Sequence, residues 1–113
     1  MTLKPIQQDL LLLLGWLQLQ CGHPARGRVL IEALLALEPE HVAARKVLVV
    51  CLLCLEEGGD AQAHCDRLLR AQEQDPALWL CLSRAKQLQG QVREARMLHE
   101  SFLTRRERYA TSH

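Results

Sequence analysis

Apolar residues recur three and four apart through most of the chain, with polar and charged residues between them, which is the pattern of helices that bury one stripe. Six such stretches are expected, at about 4–21, 25–37, 40–56, 61–74, 76–89 and 92–108. Val29, Leu30, Leu34 and Leu37 mark the stripe of the second, and Ala61, Leu68, Leu69 and Ala71 that of the fourth. Turn residues separate the stretches. Gly22 and Gly90 suit a left-handed residue just past a helix end, and Gly58-Gly59-Asp60 reads as such a stop followed by an N-cap. Asp75-Pro76 reads as a cap followed by proline at the first helical position. The run from Val47 to Leu55 departs from the pattern because it is apolar on every side. Arg45-Lys46 and Glu56-Glu57 are expected to hold its ends in water, and it falls far short of the roughly 20 residues needed to cross a bilayer. It is a buried segment, and what buries it bears on function.

The turn residues repeat. Gly22 precedes Pro39 by 17 residues, as Gly59 precedes Pro76, and Gly90 follows Gly59 by 31. Each unit is then a helix, a glycine turn and a second helix, so that neighbours pair as antiparallel hairpins. This repeat resembles the tetratricopeptide pattern W-x2-L-G-x2-Y, A-x3-F, P. Residues 76–109 carry it as Trp79-x2-Leu82-Ser83 and Ala95-x3-His99. Residues 8–41 carry it as Leu11-x2-Leu14-Gly15, Gly27-x3-Ile31 and Pro39. In residues 42–75 it degenerates to Leu48-x2-Cys51-Leu52, His64-x3-Leu68 and Pro76, with neither small position kept. The resemblance implies an all-α fold of three hairpins forming a short right-handed solenoid, one domain over residues 1–113. The spacing of 37 and then 31 residues puts extra sequence before the middle hairpin, expected to lengthen its first helix through residues 40–44.

Composition narrows the function. At 113 residues the chain has room for one core, and with Leu and Ala dominant and aromatics at 4% it is helix-forming material. A net charge of +1, with both signs interspersed, argues against a nucleic-acid footprint. The apolar run from Leu10 to Leu17 has only Lys4 before it, Asp9 against it and no small-residue cleavage site after it, so it does not read as a signal peptide. Gln20 likewise stands where a lipoprotein signal would have a small residue before Cys21. Five cysteines without a paired framework indicate a reducing compartment, the cytoplasm.

The candidate chemistry is thin. Cys51-x2-Cys54 has zinc or redox spacing, with His64 and Cys65 downstream, but it lies inside an apolar run with no turn between its members and reads as core packing. Cys81 reads as another buried position. No Ser/His/Asp order, phosphate-binding glycine loop or buried acidic pair is present. The expectation is a protein without catalysis, nucleotide or metal. Arg105-Arg106-Glu107-Arg108 reads as a solvated end to the last helix, favourable to its dipole.

Resemblance to tetratricopeptide proteins implies that the first helix of each hairpin lines a concave face. Projected onto it, Leu12, Trp16, Leu19, Val49, Leu53, Leu80, Arg84 and Leu88 form a partner-binding surface that is apolar except for Arg84. Cys51, Leu52 and Leu55 would pack within the array, and Arg26, Arg28, Glu32, Arg67, Arg70, Arg93 and Glu94 would face water. Well-buried large side chains contribute roughly 1.5 to 3 kcal/mol each. Set against an association cost of about 4 to 15 kcal/mol, that is enough to hold a peptide or a helix. Arg84 would bind a partner carboxylate or carbonyl.

Two stretches, Leu14-Gly15-Trp16-Leu17-Gln18-Leu19-Gln20-Cys21-Gly22-His23 and Trp79-Leu80-Cys81-Leu82-Ser83-Arg84-Ala85-Lys86-Gln87-Leu88-Gln89-Gly90, resemble the YscY-type chaperones of bacterial type III secretion, supported by Leu37-Glu38-Pro39-Glu40-His41. The resemblance implies a small cytoplasmic protein that holds the early secreted protein YscX in a heterodimer or higher complex. With it, the chaperone would engage the inner-membrane export gate without inserting in the membrane. Trp16, Leu19, Leu80 and Arg84 would then shield an aggregation-prone segment of that partner. A translocator chaperone of the same system and a self-dimerising scaffold or adaptor are the alternatives.

Overall fold

The computed structural model describes residues 3–112 of the chain. Six helices follow one another: α1 (Pro5–Gln20), α2 (Pro24–Leu37), α3 (Val42–Cys54), α4 (Gly58–Arg70), α5 (Ala77–Leu88) and α6 (Val92–Ser112), with no strand among the described residues. Contacts divide the chain between Leu55 and Glu56 into two compact units, α1–α3 and α4–α6. That division lies in the repeat where Leu52 and His64 replace the small residues. No helix among the described residues is long and apolar enough to cross a membrane.

In the first unit α2 packs on both α1 and α3. The α1/α2 crossing is close because Gly15 and Gly27 face each other across it. A Cβ built on Gly27 would lie 2.8 Å from the Gly15 carbonyl oxygen and 3.3 Å from Cys51 Sγ, and one on Gly15 would lie 2.6 Å from Ile31 Cδ1. These are the small positions of the repeat, so the motif is legible here as a steric requirement. α2 buries Ile31, Leu34 and Leu35, whereas Val29 and Leu37, expected in the stripe, are exposed. The buried stripe of α2 is therefore turned from the one expected, toward the glycine contact.

α3 does not lengthen as expected: it starts at Val42 and has 13 residues against 16 in α1. The extra residues close a capped turn instead. His41 Nδ1 accepts a hydrogen bond from Ala44 N at 3.2 Å, and Arg45 Nη2 donates to the Pro39 carbonyl at 2.7 Å. Arg45, expected in water, is buried, with one guanidinium nitrogen bonded to a carbonyl of the turn it holds.

α5 packs on both α4 and α6 in the second unit. α4 starts closely against α5: a Cβ on Gly58 would lie 2.7 Å from the Ala85 carbonyl oxygen. Gly58 therefore opens α4 rather than stopping α3, and the left-handed residue after α3 is Glu56 (φ 60°). Gln72 takes the same conformation after α4 (φ 61°), while Gly22 and Gly90 occupy it after α1 and α5. A side chain there costs about 1–2 kcal/mol, so two of the four stops are strained. Asp75 Oδ1 accepts from Ala77 N at 3.0 Å, but α5 begins at Ala77 with Pro76 at the N-cap, so the helix starts one residue later than expected. Across α5/α6, the Ser83 hydroxyl donates to the Ala95 carbonyl at 2.6 Å, so the third repeat's small pair is joined as well as close. α6 runs past the expected end at residue 108. Arg105, placed by sequence at a solvated terminus, lies over the Trp79 ring at 3.9 Å, and Arg106 over Phe102 at 5.4 Å.

Candidate functional site

α1 buries only Gly15, and its large side chains are left partly or wholly uncovered. Trp16 is 45% exposed and, with Asp9, Leu12, Leu13 and Val47, lines a hollow of about 290 Å³. Leu12 and Trp16 share a wall because they are one helical turn apart. Leu19 is half-buried, its backbone nitrogen 3.5 Å from where a Gly27 Cβ would be. Leu53 is half-buried on α3.

Val49 is a correction: at 2% exposure it belongs to the core, together with Leu48, Cys51 and Leu52. The outward face of α3 instead carries Val50 and Cys54, with Val47 beside them at the hollow. On a helix that is apolar all round, no polar stripe marks which side meets water, so sequence projection put the outward face one residue early. Val47, Val50 and Leu13 are the surface residues it missed; the one available signal was that Val47 lies in the same run as Val49.

On the second unit, Leu80 is 41% exposed and Arg84 is exposed one turn on, its Nη1 donating to Gln87 Oε1 at 3.0 Å. A guanidinium has donors to spare beyond that bond. Leu88, third in this row, is only half-buried, and a Cβ on Gly58 would lie 2.9 Å from its Cβ; part of its surface already packs on α4. A larger hollow of about 670 Å³, which sequence reading did not anticipate, runs along α6 beside Lys86, with Glu94, Met97, Leu98, Arg105 and Arg108 in its wall. The Lys86–Glu94 pair at 3.4 Å closes one end of the row.

Cys51 and Cys65 pack in the core, and the sequence reading fails at two cysteines: Cys54 is exposed and Cys81, expected to be buried, is only partly so. Burial, aided by the neighbouring Cys54, pushes the Cys51 thiol up to about 11. Burial, then Cys81 and Asp66, pushes Cys65 up to about 12, and burial and Asp75 also raise Cys81. Thiols held so high stay protonated at neutral pH and are poor nucleophiles and metal ligands. Among the described residues no group of three or more His, Cys, Asp or Glu is placed to hold a metal ion. In a thiol-labelling experiment on native protein at pH 8, Cys21 and Cys54 should react promptly, and Cys51 and Cys65 only after unfolding. Because the folded-state values are raised, the neutral thiols contribute stability that is complete below about pH 9 and is lost as pH rises through about 11 to 12.

Taken together, both units present helix faces on which apolar side chains remain open, the second unit's with Arg84 beside Leu80, and the Cys51 and Cys65 thiols are locked away. That is equipment for binding protein, and comparison with known sequences agrees. Residues 22–85 match the tetratricopeptide repeat family model. Chaperone protein YscY of Yersinia enterocolitica and that of Yersinia pestis are each 43% identical to this chain over 102 residues, covering 90% of it and 90% of the relative. A tetratricopeptide match over more than half the chain and this degree of identity over nearly all of it place the chain in the family of YscY chaperones, proteins of the tetratricopeptide-repeat class.

Proposed function

We propose that this protein is a type III secretion chaperone that binds and shields a YscX-type secreted partner and helps deliver it to the export gate. The observation that carries the reading is the apolar surface left open on the first helices of the repeats: Trp16 beside the α1 hollow, and Leu80 on α5. Likeness to the YscY chaperones supports the partner class. Leu12, Trp16, Leu19 and Leu53 on the first unit and Leu80, Arg84 and Leu88 on the second are its binding residues. Val47 and Val50 take the place of Val49.

Affinity on this reading comes from covering side chains rather than from charge. Trp16 is the principal anchor, since a half-exposed tryptophan at the mouth of a hollow has both a large area to bury and a place for the partner to enter. Arg84 supplies direction, donating to a partner carboxylate or to the carbonyls at a helix end. The working site is the bacterial cytoplasm, with recruitment to the inner-membrane export apparatus once the partner is held.

Trp16→Ala combined with Leu53→Glu should abolish co-purification of the secreted partner on co-expression, while far-UV circular dichroism stays helical. Retained co-purification with a helical spectrum would remove the proposed faces from the interface.

A further inference from the structure

The outward side of α1 carries a second apolar feature, which shares only Leu13 with the hollow. Ile6, Leu10, Leu13 and Leu17 form one stripe, each between 41% and 76% exposed, with Leu14 at 41% on its flank. Their side is opposite Gly15, which turns inward to meet Ile31 and Gly27. Four consecutive seam positions of a helix are therefore bare, over about 16 Å of its length.

The spacing of these four residues suits a second copy of the same helix. They fall four, three and four apart, the alternation of a and d positions in a heptad, and the order reads the same in both directions. An interface between identical copies related by a two-fold axis must be self-complementary, and this stripe is. Laid antiparallel on its own copy, Ile6 meets Leu17, Leu10 meets Leu13, and the same contacts recur on the other side of the axis. Charge selects the same orientation. Asp9 is the only charged residue in α1 and lies beside the stripe. A parallel pairing would set two Asp9 carboxylates level with each other, whereas the antiparallel one separates them and opposes the helix dipoles favourably.

We infer that the protein self-associates through the outer stripe of α1, two copies pairing antiparallel about the midpoint between Leu10 and Leu13. The surface removed from water is on the order of 1,000 Å² in total, at the lower edge for specific interfaces, which fits a weak dimer in equilibrium with monomer. Residues of the partner-binding hollow other than Leu13 lie off the seam, and a dimeric chaperone keeps its Trp16 hollows open.

The test is light scattering coupled to size exclusion, run on the full chain across a concentration series up to about 500 µM, so that a weak dimer is populated. The native protein should shift from monomer to dimer. Leu10→Glu should raise the dissociation constant more than about tenfold, since it places a carboxylate against Leu13 of the other copy. Leu10→Lys with Leu13→Glu should recover the dimer, because antiparallel pairing sets each lysine against a glutamate, whereas parallel pairing would set like charges together. A native protein that stays monomeric at the highest concentration, or a Leu10→Glu protein that dimerises as well as the native one, overturns the inference. So does a double variant that remains monomeric while helical by circular dichroism. Capture of the secreted partner by Leu10→Glu should be unchanged, which separates failure of the dimer from failure of the proposed function.

Discussion

Gly27→Val should lower the stability of the protein by about 3 kcal/mol and its melting temperature by roughly 10–20 °C, while Gly59→Ala should be neutral or mildly stabilising. The difference lies in what a side chain would meet. At Gly27 a Cβ would come within 2.8 Å of the Gly15 carbonyl oxygen, 3.3 Å of Cys51 Sγ and 3.5 Å of Leu19 N. Two of these atoms are backbone of α1, so relief requires the whole helix to move away, uncovering Ile31 and opening the α1/α2 contact. Overpacking of this kind costs about 1–3 kcal/mol when side chains can yield, and more when backbone must. At Gly59 nothing lies within 4 Å, and helix propensity favours alanine by up to about 1 kcal/mol. Thermal and urea denaturation followed by circular dichroism measures both; equal effects at the two positions would mean that the close crossing does not carry the first unit.

Ile31→Ala should cost about 2–5 kcal/mol, and adding Gly15→Ala should return about 1 kcal/mol of it. Ile31 is fully buried, and its Cδ1 occupies the place, 2.6 Å away, where a Gly15 methyl would go. In the native background Gly15→Ala therefore forces Ile31 off its rotamer in a site with no slack and destabilises. With Ile31 truncated, the same methyl fills part of the cavity and improves the helix propensity of α1. The two substitutions should couple favourably by about 0.5–3 kcal/mol in a double-mutant cycle. Additivity would show that the methyl and the isoleucine do not compete for one space. Gly27→Val should not be relieved by Ile31→Ala, because its clash is with the backbone of α1.

Much of the fold was legible in the chain, and for identifiable reasons. All six helices lie within a few residues of where the three-and-four periodicity placed them, α4 starting three residues early and ending four early, and Gly22 and Gly90 perform the turn roles that their chemistry assigns. The small positions of the first and third repeats are the close crossings, Gly15 with Gly27 and Ser83 with Ala95. The errors also share a cause: they concern residues whose partners are distant. Gly58 looked like a stop because glycine often is one, but the approach of α5 requires glycine there to begin a helix. Arg105 looked like the end of a helix until Trp79 came beneath it; Arg45 is the exception, missed although the Pro39 carbonyl it donates to lies only six residues before it.

By itself the sequence determined where this protein has helices, two of their glycine stops, which residue pairs let the first and third hairpins cross closely, and the family to which it belongs, because each of these depends on neighbours a few residues away or on short motifs. Only the tertiary structure decided which side of each apolar helix is covered. Val49 went inward and Val47 and Val50 outward, and α1 kept its Ile6–Leu17 stripe bare. A helix with leucine and valine on every side carries no polar stripe to orient it, so its rotation is set by the shape of what packs against it: for α1, the glycine contact with α2.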